Sequence, residues 1–162
     1  MSERIALGDG DGEHLWYDGG LLTFKATGAQ TEGALLLFEV RMPRGKATPL
    51  HVHHEADETF CLLDGELAVH LDGEDATAAT GAVLSAPRGA PHAFAVLSDE
   101  ARILVMLTPA SSIQEEFFRR AGQPAEDISQ PPPPADFERF QAAAQAAGLE
   151  ILGPPPFAMA VH

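Results

Sequence analysis

This chain is poor in several things that other protein classes need. It has one cysteine, Cys61, in 162 residues, which excludes a disulfide within the chain and fits a reducing cytoplasm as the expected location. Basic residues are scarce: 10 Lys plus Arg stand against 24 Asp plus Glu, for a net charge of −14. A surface this acidic repels phosphate backbones and anionic bilayers, so neither nucleic acid nor a membrane surface is expected as a partner. No apolar run approaches the roughly 20 residues that span a bilayer. The opening MSERIALGDGDGEHLWYDGG has no basic stretch leading into an apolar one, so no signal peptide is expected. Internal repeats, a phosphate-binding glycine loop and a paired nucleophile and base are also missing.

What is present is an ordinary apolar fraction of 45%, enough for one domain with one core. Residues 1–110 read as short strands separated by turns. Ala34–Arg41 alternates in part, with Leu36, Phe38 and Val40 on one face and Glu39 and Arg41 on the other. Thr59–Leu63 and Glu66–Leu71 flank an Asp64-Gly65 turn, and Asp72-Gly73 marks the next. Ala82–Ala86, Ala93–Leu97 and Arg102–Leu107 read as further strands. Such a series argues for an antiparallel sandwich or barrel. The tail differs. Ser112–Ala121 carries Ile113, Phe117 and Phe118 at helical spacing and stops at Gly122. A stiff Pro131–Pro134 connector leads to a second helix, Ala135–Ala147, patterned through Phe137, Phe140, Ala144 and Ala147. The expected division is a β-barrel over 1–110 and a proline-rich helical extension over 111–162 that packs on the barrel or lines an oligomer contact.

The chemistry concentrates in two short stretches. The first runs from Gly45 through His51, His53 and Glu58 to Gly65, and the second from Gly81 through Pro87 and Gly89 to His92. Residues two apart on a strand project from one face about 6–7 Å apart, so His51 and His53 can converge while Val52 points away. After the intervening His54-Glu55-Ala56-Asp57, a chain reversal can return Glu58 to the pair, and His92 enters a later strand to complete the set. Three imidazoles and a carboxylate suit a divalent first-row ion.

These two stretches resemble both motifs of the cupin family at each glycine, proline and ligand position across residues 45–92. The remainder is similar, less specifically, to small single-domain cupins grouped with quercetin dioxygenases. The resemblance implies an all-β double-stranded β-helix, the cupin jelly-roll barrel, with two short C-terminal helices. It implies metal ligands His51, His53, Glu58 and His92, with Glu58 rather than Glu55 or Asp57 as the carboxylate. It also implies a second role for Glu58, accepting the substrate proton. One position departs: the second motif commonly ends in Asn four residues after its histidine, where this chain has Val96. The cofactor expected is one divalent transition metal, Fe, Ni, Mn, Co, Cu or Zn.

Around the ion, Phe38, Phe60, Phe94 and Met106 are expected to line an apolar pocket because they share strand parity with core positions or ligands, and Trp16 and Tyr17 are expected to close its mouth. The partner expected is then a small aromatic or hydrophobic substrate, and a homodimer is the expected assembly. A dioxygenase is the leading reading, while a non-redox isomerase, cyclase or lyase and a non-catalytic binding protein stay open. His54 is expected beside the site but facing solvent, and His14, His70 and His162 on the surface. Cys61 is expected as a buried small hydrophobe.

Overall fold

The structure is a computed structural model, and it describes residues 1–157. His162 lies outside the described residues. The strands are β1 (Glu13–Tyr17), β2 (Gly20–Ala26), β3 (Leu36–Pro43), β4 (Leu50–Val52), β5 (Asp57–Asp64), β6 (Glu66–Leu71), β7 (Glu74–Ala79), β8 (Val83–Ala86), β9 (His92–Val96), β10 (Glu100–Thr108), β11 (Gln123–Pro124) and β12 (Glu150–Gly153), with helices α1 (Ser112–Ala121) and α2 (Phe137–Ala147). They form a seven-stranded sheet in the order β11-β1-β2-β3-β10-β5-β8 and a five-stranded sheet in the order β12-β4-β9-β6-β7. All the pairings described are antiparallel. The inner faces of both sheets meet in one core that joins Leu22, Leu36, Leu62, Ile103 and Leu107 to Leu67, Val69 and Val96, giving a jelly-roll barrel.

Strand β10 shows most plainly how sequence becomes packing. Its residues alternate without a break, with Ala101, Ile103, Val105 and Leu107 buried and Arg102, Leu104, Met106 and Thr108 on the other face. It is hydrogen-bonded on both sides, to β3 and β5, so it is an interior strand of the larger sheet. The two-residue loops Asp18-Gly19 and Asp72-Gly73 each place both residues at positive φ, 51° and 79° in the first and 50° and 83° in the second. That is the twist a tight antiparallel hairpin requires, and Asp-Gly tolerates it. These loops set the β1–β2 and β6–β7 registers.

Several expectations are adjusted. Strands β1, β2, β4, β7, β11 and β12 lack a strong periodic signal; β7, EDATAA, has one buried side chain, Ala78. Pairing with β6 rather than local propensity makes it a strand. Helix α1 has the expected bounds, with Ser111 and Gln114 closing a capping box. Helix α2 starts at Phe137, capped by Asp136, and ends at Gly148 in the left-handed conformation at φ 66°. Phe137 and Ile113, read as part of the apolar faces, are exposed, whereas Phe117, Phe118, Ala143 and Ala144 are buried. Cys61 is half-buried rather than core, because it shares the outward face of β5 with Thr59. The tail also supplies strands: β11 extends the edge at β1, and β12 pairs with β4.

Candidate metal centre

Strands β4 and β9 lie side by side with His51 directly opposite His92. This register brings their rings to a centroid separation of 4.4 Å. His53 follows β4 in the loop leading to β5, and its ring lies 5.1 Å from that of His51 and 5.4 Å from that of His92. Glu58 comes from the other sheet: it sits on β5 between Leu107 of β10 and Ala86 of β8, and it is 5% exposed. His51, His53, Glu58 and His92 thus converge from both sheets, each offering one donor atom, and these atoms all lie within 4.8 Å of one another.

The hydrogen bonds orient the donors. The Nδ1–H of His51 donates to the Pro49 carbonyl at 2.8 Å, and that of His92 to the Ala90 carbonyl at 2.9 Å. In the neutral rings this leaves Nε2 as the lone-pair donor, the arrangement typical of metal-binding imidazoles. The Glu58 carboxylate reaches His53 Nε2 with Oε2 at 3.0 Å and His92 Nε2 with Oε1 at 3.3 Å. Burial alone would raise the Glu58 carboxyl, but the charge and hydrogen bonds of His53 and His92 outweigh it and hold it well below the usual range. Burial, with the neighbouring His92 and His53, pushes His51 down to about 4. His92 moves up, because its hydrogen bond to Glu58 and that carboxylate's charge outweigh burial. A buried anion facing three imidazoles, two of them with locked tautomers, is a cluster able to hold a metal ion.

The cluster opens onto a cavity of about 70 Å³, counted as the space open to the centre of a water molecule. His51, His53 and Glu58 line it together with Phe38, Val40, Met42, Phe60, Phe94 and Val105 of the barrel and Phe117, Phe118, Phe140 and Leu149 of the tail. Tyr17, Asp18, Lys46, Thr48 and Pro49 complete the wall. Of the expected wall residues, Phe38, Phe60, Phe94 and Tyr17 are there. Met106 is not: it lies on the opposite face of β10, and Val105 takes the inward position. Trp16 is not either, since it alternates with the buried Leu15 and lines a separate outer groove with Arg41, Gln130 and Pro132. Tyr17 is held well above the usual phenol range, first by burial and then by the charges of Asp18 and Glu58.

Other sequence candidates fall outside the cluster. His54 is exposed and pairs with Glu150 of β12; Glu55 is exposed; Asp57 pairs with Arg88 at 3.2 Å. His14 bonds Thr23 Oγ1 at 2.8 Å, and His70 bonds Asp75 at 2.6 Å. Val96 is fully buried in the core and pairs with Leu67, away from the cavity wall. Sequence reasoning passed over Lys46, Asp18, Phe117, Phe118, Phe140 and Leu149 as cavity residues. The apolar faces of the helices were visible, but not the surface they would cover.

A barrel carrying three histidines and a glutamate in these two motifs has the makings of a cupin metal site, a cluster that could hold an ion. Residues 38–108 match the family described as "Cupin domain", and the chain belongs to the cupin superfamily. It is 30% identical over 149 residues to the quercetin 2,3-dioxygenase of Bacillus subtilis, an alignment covering 90% of this chain and 44% of that enzyme. The chain therefore spans less than half of that relative's length. Among solved structures, KdgF from Halomonas sp. superimposes with a TM-score of 0.58 at 20% identity, covering 70% of this chain and 99% of that one. An RmlC-like cupin from Shewanella frigidimarina gives 0.59 at 16% identity, covering 68% and 95%. A predicted oxalate decarboxylase from Thermotoga maritima gives 0.57 at 19%, covering 65% and 99%. Likeness at these identities shows the fold alone. No helix among the described residues is long and apolar enough to cross a membrane.

Proposed function

We propose that the protein is a metal-dependent cupin that acts on a small aromatic or hydrophobic molecule as a dioxygenase of the quercetin dioxygenase type. The observation that carries this reading is the opening of the His51, His53 and Glu58 donors directly onto an aromatic-walled cavity. The residues proposed to hold the ion are His51, His53, Glu58 and His92. A bound first-row ion would supply Lewis acidity and an open position for a substrate oxygen or dioxygen.

The chain's own residues do the rest. The carbonyls of Pro49 and Ala90 hold the His51 and His92 rings in place, so little reorganisation is needed when the site fills. Glu58 is anionic at neutral pH, the state required to accept a hydroxyl proton from the substrate. Phe60 and Phe94, edge-to-face at 5.9 Å, offer a flat aromatic molecule a shaped wall, and the apolar lining restricts water around the reacting end.

The test is oxygen uptake with flavonols after loading Fe, Ni, Mn, Co, Cu or Zn in turn, read alongside metal content. Uptake with at least one redox-capable metal supports the reading. Turnover that persists without oxygen and with zinc would assign the site to non-redox isomerase, cyclase or lyase chemistry. Binding without turnover would make it a binding protein. A homodimer and a cytoplasmic location belong to the same proposal; light scattering during size-exclusion chromatography checks the first and cell fractionation the second.

A further inference from the structure

The cavity wall carries two polar groups. One is the histidine and glutamate cluster. The other is formed by Tyr17, Asp18 and Lys46, in a wall otherwise built mainly of phenylalanine and aliphatic side chains. Lys46 Nζ donates to Asp18 Oδ1 at 2.6 Å, and the two side chains are 22% and 17% exposed. An ion pair drawn this far from water gives up hydration that its single contact does not fully replace. An ammonium has three donors, and among the described residues Asp18 is the only side-chain partner of this one. The Tyr17 hydroxyl has no hydrogen-bond partner among the described residues.

All three groups are held in place. The Tyr17 ring is gripped by Phe117 at 6.4 Å, Phe118 at 5.5 Å and Phe140 at 6.3 Å. Asp18 occupies the left-handed position of the β1–β2 turn. The backbone of Lys46 is tied at both ends, its N–H donating to Pro43 and its carbonyl accepting from Val96. The donors and the acceptor are thus oriented before any ligand arrives, which lowers the entropic cost of binding one.

We propose that Tyr17 and the Lys46–Asp18 pair form a second anchor, which takes a hydroxyl group of an aromatic substrate other than its metal-binding oxygens. A neutral hydroxyl suits it better than a carboxylate. It can accept from Lys46 or Tyr17 while donating to Asp18, whereas an added anion would face the carboxylates of Asp18 and Glu58. This rests on the proposed function above. It adds to that reading the residues that select among substrates.

The experiment uses galangin and kaempferol, flavonols that differ by one hydroxyl on the pendant phenyl ring, which bears none of the metal-binding oxygens. Dissociation constants are measured without oxygen on the metal-replete full chain, in the original sequence and in Tyr17→Phe and Lys46→Met. Kaempferol is expected to bind more tightly by on the order of tenfold, the worth of one well-made hydrogen bond. Each variant should draw that ratio toward one. Tyr17→Phe removes no hydrogen bond present in the folded protein, so its fold is expected to survive, and a thermal midpoint checks both variants. A ratio near one in the original protein, or unchanged in both variants, overturns the anchor while leaving flavonol binding intact. A lowered midpoint with an unchanged ratio marks the ion pair as a latch between the β1–β2 turn and the β3–β4 loop, and also overturns it. Failure of metal-replete protein to bind either flavonol removes the flavonol reading itself, and the anchor with it.

Discussion

At the scale of single residues, the centre depends on which of two adjacent histidines faces inward. His53 contacts Glu58 and lines the cavity, whereas His54 is exposed beside Glu150. His53→Ala is therefore expected to lose most of the bound metal in elemental analysis, while His54→Ala keeps it; the reverse result would reassign the ligand. Val96 is a second such position. It is fully buried against Leu67, so Val96→Asn is expected to destabilise the fold by about 1–3 kcal/mol, the cost of burying an amide without partners. Denaturant unfolding measures this, and an unchanged midpoint would mean that the amide finds partners. The candidate ligands were legible from sequence because each carries its chemistry in its own side chain and the two motifs resemble those of the cupin family. The burial of Val96 was not, because alternation near a strand end does not reveal what lies opposite.

At the scale of elements, β10 and α1 make a contrast. Met106 and Val105 are neighbours, and a reading of strand parity from the sequence placed Met106 inward. Only pairing with β3 and β5 fixes the face: Val105 stands opposite Phe38 and Phe60, both buried, and Met106 opposite Leu37 and Thr59. Helix α1 was legible to the residue because its punctuation is local, with Ser111 and Gln114 at one end and Gly122 at the other. Ser111→Ala is expected to cost about 1 kcal/mol of stability, seen as a lower thermal midpoint. Since α1 carries Phe117 and Phe118 into the cavity wall, the same change should weaken retention of an aromatic ligand. Unaltered stability would show that packing on β1 and α2 holds the helix without its cap.

At the scale of the whole molecule, protons would compete with a bound metal for one site. In the metal-free protein His92 binds its proton more tightly than a free imidazole, and His51 remains neutral down to about 4. Metal uptake must therefore displace the His92 proton, so affinity should strengthen as pH rises through the raised value of His92 and level off above it. The stability terms oppose one another. Raised His92 stabilises below its unfolded value, and this is lost as pH climbs through its folded value. Lowered Glu58 stabilises above its unfolded value, and this is lost on acidification. Competition titrations across pH check the metal prediction, with proton release measured directly; a flat affinity would remove His92 from the ligand set. Chelation should also lower the thermal midpoint, since an ion bound only by the folded state stabilises it.

The sequence by itself determined the class of fold and singled out the four residues that gather in the candidate metal cluster. Strand periodicity, Asp-Gly turns and donor spacing are short-range properties that a few consecutive residues encode. Only the tertiary structure decided which faces met: that Glu58 crosses from one sheet to histidines of the other, that two tail helices wall the cavity, and that Lys46, Asp18 and Tyr17 gather in the same wall. Those juxtapositions join residues as distant as Tyr17 and Phe140. They arise from burying the apolar faces of separate elements together, which no local stretch specifies.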